Sequence, residues 1–182
     1  MRLINNFLRF FFILIAALSS CGRTDTSGII IPNEIQQDWA EAEIGVLIHF
    51  DMPVFVPEYR WSRFGTHPDA SVFSPTELDT DQWLETASKL GAKYAVLVAK
   101  HCSGFSLWPT EAHDYSVKNC PWKDGKGDIV ADFIASCKKY GIKPGIYAST
   151  TANGYLHVTN PGVVKEGSPV TQVEYNSIVT KQ

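Results

Sequence analysis

Three short apolar runs govern what this chain can fold into. They occupy residues 44–50, 94–99 and 143–148, and they begin 50 and 49 residues apart. None alternates cleanly between polar and apolar positions. Short continuous runs of this kind suit strands buried on both faces, as in parallel sheets. Helical patterns lie between them. Asp79 precedes Thr80, Asp81 and Gln82, a variant capping box, and Trp83, Leu84, Ala87 and Leu90 then form a stripe that Gly91 stops. A second helix begins near Asp128. Ile129, Val130, Phe133, Ile134 and Cys137 share one face, Lys138 and Lys139 sit in its last turn, and Gly141 ends it. Strand, loop, helix and strand in this rhythm form the repeating unit of a parallel α/β fold.

The connections are longer than that unit requires, and the surplus follows the strands, at 51–78, 102–127 and 149–170. In a (β/α)8 barrel the loops after the strands build the active face. Such a barrel takes eight strands and about 250 residues. The 182 residues here supply three strands and a further helix starting near Thr171. Either the fold is a small open sheet or the chain is a fragment. The favoured expectation is α/β: the N-terminal three βα-type units of a (β/α)8 TIM-like barrel, incomplete in this chain.

The fold is expected over 39–182, after a signal peptide at 1–20 and a tether at 21–38. Residues 10–18 are an unbroken apolar run, too short for a stop-transfer helix, and small residues lead into Cys21. Leu18-Ser19-Ser20-Cys21 resembles the lipobox of bacterial lipoproteins, which implies cleavage before Cys21 and acylation of its thiol. The expected location is the bacterial cell envelope, periplasmic or outer-membrane, with the lipid anchor holding the chain to a membrane. Cys102, Cys120 and Cys137 remain, an odd number whose spacing matches no zinc pattern, and no metal or cofactor is expected. A net charge of −3 without a basic run gives no reason to expect nucleic acid.

Polar residues at the strand ends are the candidates for chemistry. His49 closes the first run, His101 follows the second, and Tyr147 lies near the end of the third. In a parallel barrel those ends share one side, so three hydrogen-bonding side chains would converge on one pocket. Any one of them alone could be a satisfied core residue. Trp61 lies in the loop after the first run, and Trp108, Tyr115 and Trp122 in the loop after the second. Aromatic rings pack on the apolar faces of sugars, although loop packing accounts for any single one. Glycoside cleavage normally takes two carboxylates, about 5–5.5 Å apart in a retaining enzyme. Asp51 is the one carboxylate beside a strand end; Glu58, Asp114, Asp124 and Glu166 are loop residues. No phosphate loop, nucleophile elbow or zincin helix is present.

Several segments resemble the α-L-fucosidases of glycoside hydrolase family 29. They are Ile48-His49-Phe50, Ser71-Val72-Phe73-Ser74-Pro75 and the stretches 91–97, 99–109, 114–117, 125–130 and 141–147. The block from His101 to Pro109 is the most specific. The resemblance implies a (β/α)8-like barrel followed by a β-sandwich, and removal of α-linked L-fucose from glycans with retention. It implies that His49, Trp61, His101 and Tyr147 contact fucose, with Trp108 beside them. Many members have His-His-Asp-Gly-Phe where this chain has His101-Cys102-Ser103-Gly104-Phe105, which puts Cys102 in doubt as a contact. The pattern looks more like the branch acting on α-1,3/1,4-fucosylated glycans. The nucleophile and acid/base of the family would lie beyond Gln182, so no catalytic residue is expected in this chain. The alternative is a lipid-anchored glycan-binding protein without hydrolytic activity. The N-terminal reading has its own check. Mass spectrometry of the exported protein should find Cys21 as an acylated first residue, and an unmodified start elsewhere would refute the lipoprotein assignment.

Overall fold

The computed structural model describes residues 30–182; Cys21, the signal peptide and the tether up to residue 29 lie outside the described residues. The chain divides into two units, residues 1–37 and 38–182. Helix α1 (Glu34–Glu41) crosses that boundary, and Asn33 and Gln36 cap its start reciprocally, each backbone N–H reaching the other's side-chain oxygen at 2.9 Å. The helix thus occupies part of the stretch read from sequence as tether and runs past its boundary at residue 38.

The second unit is built on a parallel sheet of β1 (Gly45–His49), β2 (Tyr94–Lys100) and β3 (Lys143–Ala148), in that spatial order. The strands begin where the apolar runs placed them. Gly45 pairs with Tyr94 and Tyr94 with Lys143, so the strand starts are level across the sheet. The central strand is largely buried, while its neighbours are more open: Leu47 on β1 is 67% exposed and Ile146 on β3 47%. Gly45 has a steric reason to be glycine. The Tyr94 ring lies over it, about 2 Å from where a Cβ would sit, and Trp39 packs against the same ring with centroids 4.5 Å apart.

Helices α2 (Thr80–Lys89) and α3 (Ile129–Tyr140) join the strands. Asp79 accepts from the Gln82 N–H at 3.0 Å and Asp128 from the Ala131 N–H at 2.9 Å, so both starts are capped by the expected residues. Gly141 ends α3 in the left-handed region at φ 67°, where a side chain would be strained. Leu84, Phe133 and Cys137 pack with Ala95 and Leu97 of β2 and with Val46 and Ile48 of β1, which fixes the helix-covered face of the sheet. A polar relay ties the helices together. The Thr80 and Ser136 hydroxyls meet at 2.8 Å, Ser136 donates to Asp81 at 2.7 Å, and Lys139 pairs with the same carboxylate.

After β3 come two short antiparallel strands, β4 (Val158–Thr159) and β5 (Val163–Val164), and helix α4 (Gln172–Lys181). Thr171 and Glu174 form a capping box at the start of α4, at the position where the sequence pointed to a new helix. Tyr175 of that helix is buried against Leu156 and Val158, and its hydroxyl donates to the Thr150 carbonyl at 2.8 Å.

The loop after β2 folds back on itself through His113. Its Nδ1 accepts the Tyr115 N–H at 3.2 Å, so the proton of the neutral ring sits on Nε2, which faces the Ser106 hydroxyl at 3.1 Å. Burial, with the nearby Lys100 ammonium second, pushes this imidazole down to about 4, while Asp114 opposes weakly. Between that value and about 6.5 the unfolded chain binds a proton that the folded chain refuses, so stability must fall as pH drops through this window. The loss is on the order of 2–3 kcal/mol by pH 4. Urea melts across pH 7.5 to 4 should show that decline, and His113→Gln should flatten it; an unchanged slope in the variant would contradict the account.

Candidate active site

The carboxyl ends of β1, β2 and β3 carry the candidate residues, and the strand register brings them together. His49 pairs with Val98 and Val98 with Tyr147, so the three stand in one row. His101 would not join them in a regular strand, since it is three residues beyond Val98 and side chains alternate faces. The pairing slips between Val98 and Lys100: Lys100 lies opposite Ala148, which leaves Ala99 surplus on β2. A surplus residue reverses the facing of every later side chain. His101 accordingly meets its neighbours, its ring centroid 4.5 Å from that of His49 at 66° and 6.0 Å from that of Tyr147.

Asp51 completes the group. It follows His49 by two residues and caps the single helical turn Met52–Val54, its Oδ1 accepting the Met52 N–H at 2.8 Å. The Ser103 hydroxyl donates to the same oxygen at 2.5 Å, and Ser103 Oγ in turn accepts the Phe105 N–H at 3.0 Å. Asp51 and Ser103 are both buried, so this contact joins the loops after β1 and β2 at the floor of the site. Burial raises the Asp51 carboxyl above its ordinary value, against the opposing pull of Ser103, Met52 and the two imidazoles. Burial, with His49 second, lowers His101, so near neutral pH its ring is uncharged and can donate at one nitrogen and accept at the other. Cys102 Sγ lies 3.9 Å from His101 Nε2, and burial raises its thiol, which keeps it protonated.

The aromatic residues divide. Trp61 and Trp108 are half-buried on the loops after β1 and β2. Trp61 is tied to the third loop: a Cβ on Gly154 would lie 2.6 Å from the Trp61 carbonyl oxygen and 2.8 Å from the Tyr59 hydroxyl. Tyr115 and Trp122 are core residues. Tyr115 stacks on Tyr155 at 4.7 Å and donates to the Pro68 carbonyl at 2.9 Å, while Trp122 packs over Gly127. Sequence reasoning did not single out Ser103 or Tyr59. The Tyr59 hydroxyl is buried without a hydrogen-bond partner among the described residues, and its own deprotonation is disfavoured by burial and by the Asp51 charge.

The arrangement offers neutral and acidic groups that can bind hydroxyls. Among the described residues it holds one carboxylate, since Glu58, Asp114, Asp124 and Glu166 are all exposed on loops. One cluster has metal-ligating geometry: a donor atom from each of His49, Asp51 and His101 lies within 4.8 Å of the others. The groove along the open edge of β1, lined by Val46, Leu47, Ile48, Trp83 and Leu90 among others, includes neither histidine.

Comparison with known proteins gives a consistent result. The family described as Alpha-L-fucosidase matches residues 30–182. Alpha-L-fucosidase 1 of Arabidopsis thaliana is 32% identical over 154 residues, covering 80% of this chain and 30% of its own length. A crystal structure from Bacteroides thetaiotaomicron VPI-5482, assigned as an alpha-L-fucosidase, superposes with a TM-score of 0.75 at 41% identity, covering 83% of this chain and 36% of the other. A glycoside hydrolase 29 family member from an unknown rumen bacterium gives 0.61 at 34% identity, over 66% of this chain and 21% of that one. The chain thus spans about a third or less of the length of these relatives. With the match running through every described residue, the chain belongs to the α-L-fucosidase family, glycoside hydrolase family 29.

Proposed function

We propose that this chain is the N-terminal part of an exported α-L-fucosidase that removes α-linked L-fucose from glycans with retention of configuration. The observation that carries the reading is the meeting of His49, His101 and Tyr147 at the strand ends of a chain in this family. Their nitrogens and phenol supply donors and acceptors for sugar hydroxyls, and Trp61 and Trp108 supply flat apolar surface for the ring face. The three-stranded sheet is then the opening of a (β/α)8 barrel, Cys21 is the lipid attachment point, and the substrate is a fucosylated oligosaccharide or glycoconjugate of the α-1,3/1,4 type.

Retaining cleavage needs a carboxylate to attack the anomeric carbon and a second acid to protonate the leaving oxygen, about 5–5.5 Å apart. Asp51 does not fit the first role, because its Oδ1 is held by Ser103 and Met52 and burial favours its neutral form. No second carboxylate is among the groups that act on it, which are Ser103, Met52, His101 and His49. The reading therefore takes both catalytic groups from chain outside residues 1–182, in keeping with the share of the relatives that these residues cover.

A fluorogenic aryl α-L-fucoside tests the division. The 182-residue chain should release no fucose. The polypeptide extended through its downstream coding sequence should hydrolyse the substrate, and His101→Ala in it should lower kcat/KM by roughly tenfold or more through lost hydrogen bonds to the sugar. Fucose release by the purified 182-residue chain would overturn the proposal, because it would require a carboxylate pair within these residues.

A further inference from the structure

We propose that His49, Asp51 and His101 form a binding site for a divalent transition-metal ion of the zinc class, with one imidazole nitrogen from each histidine and Asp51 Oδ2 as its three protein ligands. The donor atoms already lie within 4.8 Å of one another. Two ligands of one tetrahedral zinc ion, each about 2.0–2.2 Å from it, stand about 3.4 Å apart. Closing the cluster on an ion shortens the widest separation by about 1.4 Å, a change within reach of side-chain rotation.

The support around the cluster is that of a ligand set. Ligating carboxylates are oriented by hydrogen bonds from outside the coordination shell. The Met52 N–H and the Ser103 hydroxyl both end on Asp51 Oδ1, which leaves Oδ2 for the ion, and the Phe105 N–H holds Ser103 in turn. His101 and Asp51 stand on β2 and β1 stems joined by the sheet ladder, so the carboxylate and one imidazole are fixed to rigid elements. His49 is exposed, which leaves a way in for the ion and an open side for water ligands.

The donor set also selects the metal. Two neutral nitrogens and one carboxylate suit zinc, cobalt or nickel, whereas calcium and magnesium take oxygen ligands. Cys102 Sγ, beside His101, adds a soft atom at the rim. Three protein ligands with water in the remaining position is the arrangement of open zinc sites. An ion held there fills the space between the two imidazoles and so opposes the entry of a sugar hydroxyl; this last consequence rests on the fucosidase reading above, but the metal site does not.

The test uses metal alone. The tag-free full chain is titrated with Co2+ and followed by visible absorption, and Zn2+ is then added. One equivalent of Co2+ should produce saturable ligand-field bands that Zn2+ abolishes. His49→Ala and Asp51→Asn should each weaken Co2+ binding by about tenfold to a hundredfold. His49 is exposed, so its variant should keep the wild-type circular dichroism even if Asp51→Asn does not fold. Absence of a saturable band in the folded chain, or unchanged affinity in folded His49→Ala, would refute the site.

Discussion

Parallel pairing on both edges of β2 is the constraint on which the rest of the structure depends. Parallel strands cannot be joined by a tight turn, so each must be followed by a long return through a helix. That return sends α2 and α3 to the same face of the sheet, where Leu84 and Phe133 close over Ala95 and Leu97. It also leaves every strand pointing its carboxyl end the same way. The long loops that begin there are brought side by side by the ladder itself, and the distances among His49, His101 and Tyr147 follow from strand spacing more than from any contact between the loops.

A buried carboxyl in such a place is costly unless it is compensated, because removing a charge from water is opposed in proportion to its burial. Asp51 has two donors on one oxygen and two imidazoles within 4.8 Å of its carboxylate. Desolvation still dominates and holds the carboxyl above its ordinary value. The neighbouring His101 ring is biased the other way. His101 is kept neutral by its surroundings, and with it the pocket keeps an imidazole able to donate and accept at once.

Much of the scaffold was legible in the residues because local chemistry decided it. The apolar runs became strands within a residue or so of their expected limits, and Asp79, Asp128, Thr171 and Gly141 marked helix ends where side-chain and backbone geometry permit few alternatives. Helix α1 carried the same kind of signal in Asn33 and Gln36, but the polar flanks around it read more strongly as tether. The site was legible only as three strand-end residues. Asp51 was visible as a carboxylate in the right place, while its partner Ser103 lies 52 positions away and has no periodicity to announce it. Tyr115 and Trp122 count as loop aromatics in sequence, yet the loop after β2 folds inward and buries both, a tertiary outcome that composition cannot distinguish from an exposed stacking platform.

The surplus residue on β2 separates two kinds of genetic change. Any substitution at Ala99 that the core tolerates leaves the count of residues intact, and with it the facing of His101. Gain of a single codon between Tyr147 and Ala148 would give Ala99 a partner on β3, keep every functional side chain in the protein and still dismantle the pocket, by turning His101 towards the helices and Lys100 towards His49 and Tyr147. The length of β3 at this point is inherited as strictly as its chemistry, so lineages that preserve the pocket should vary here by replacement and gain no residue between Tyr147 and Ala148.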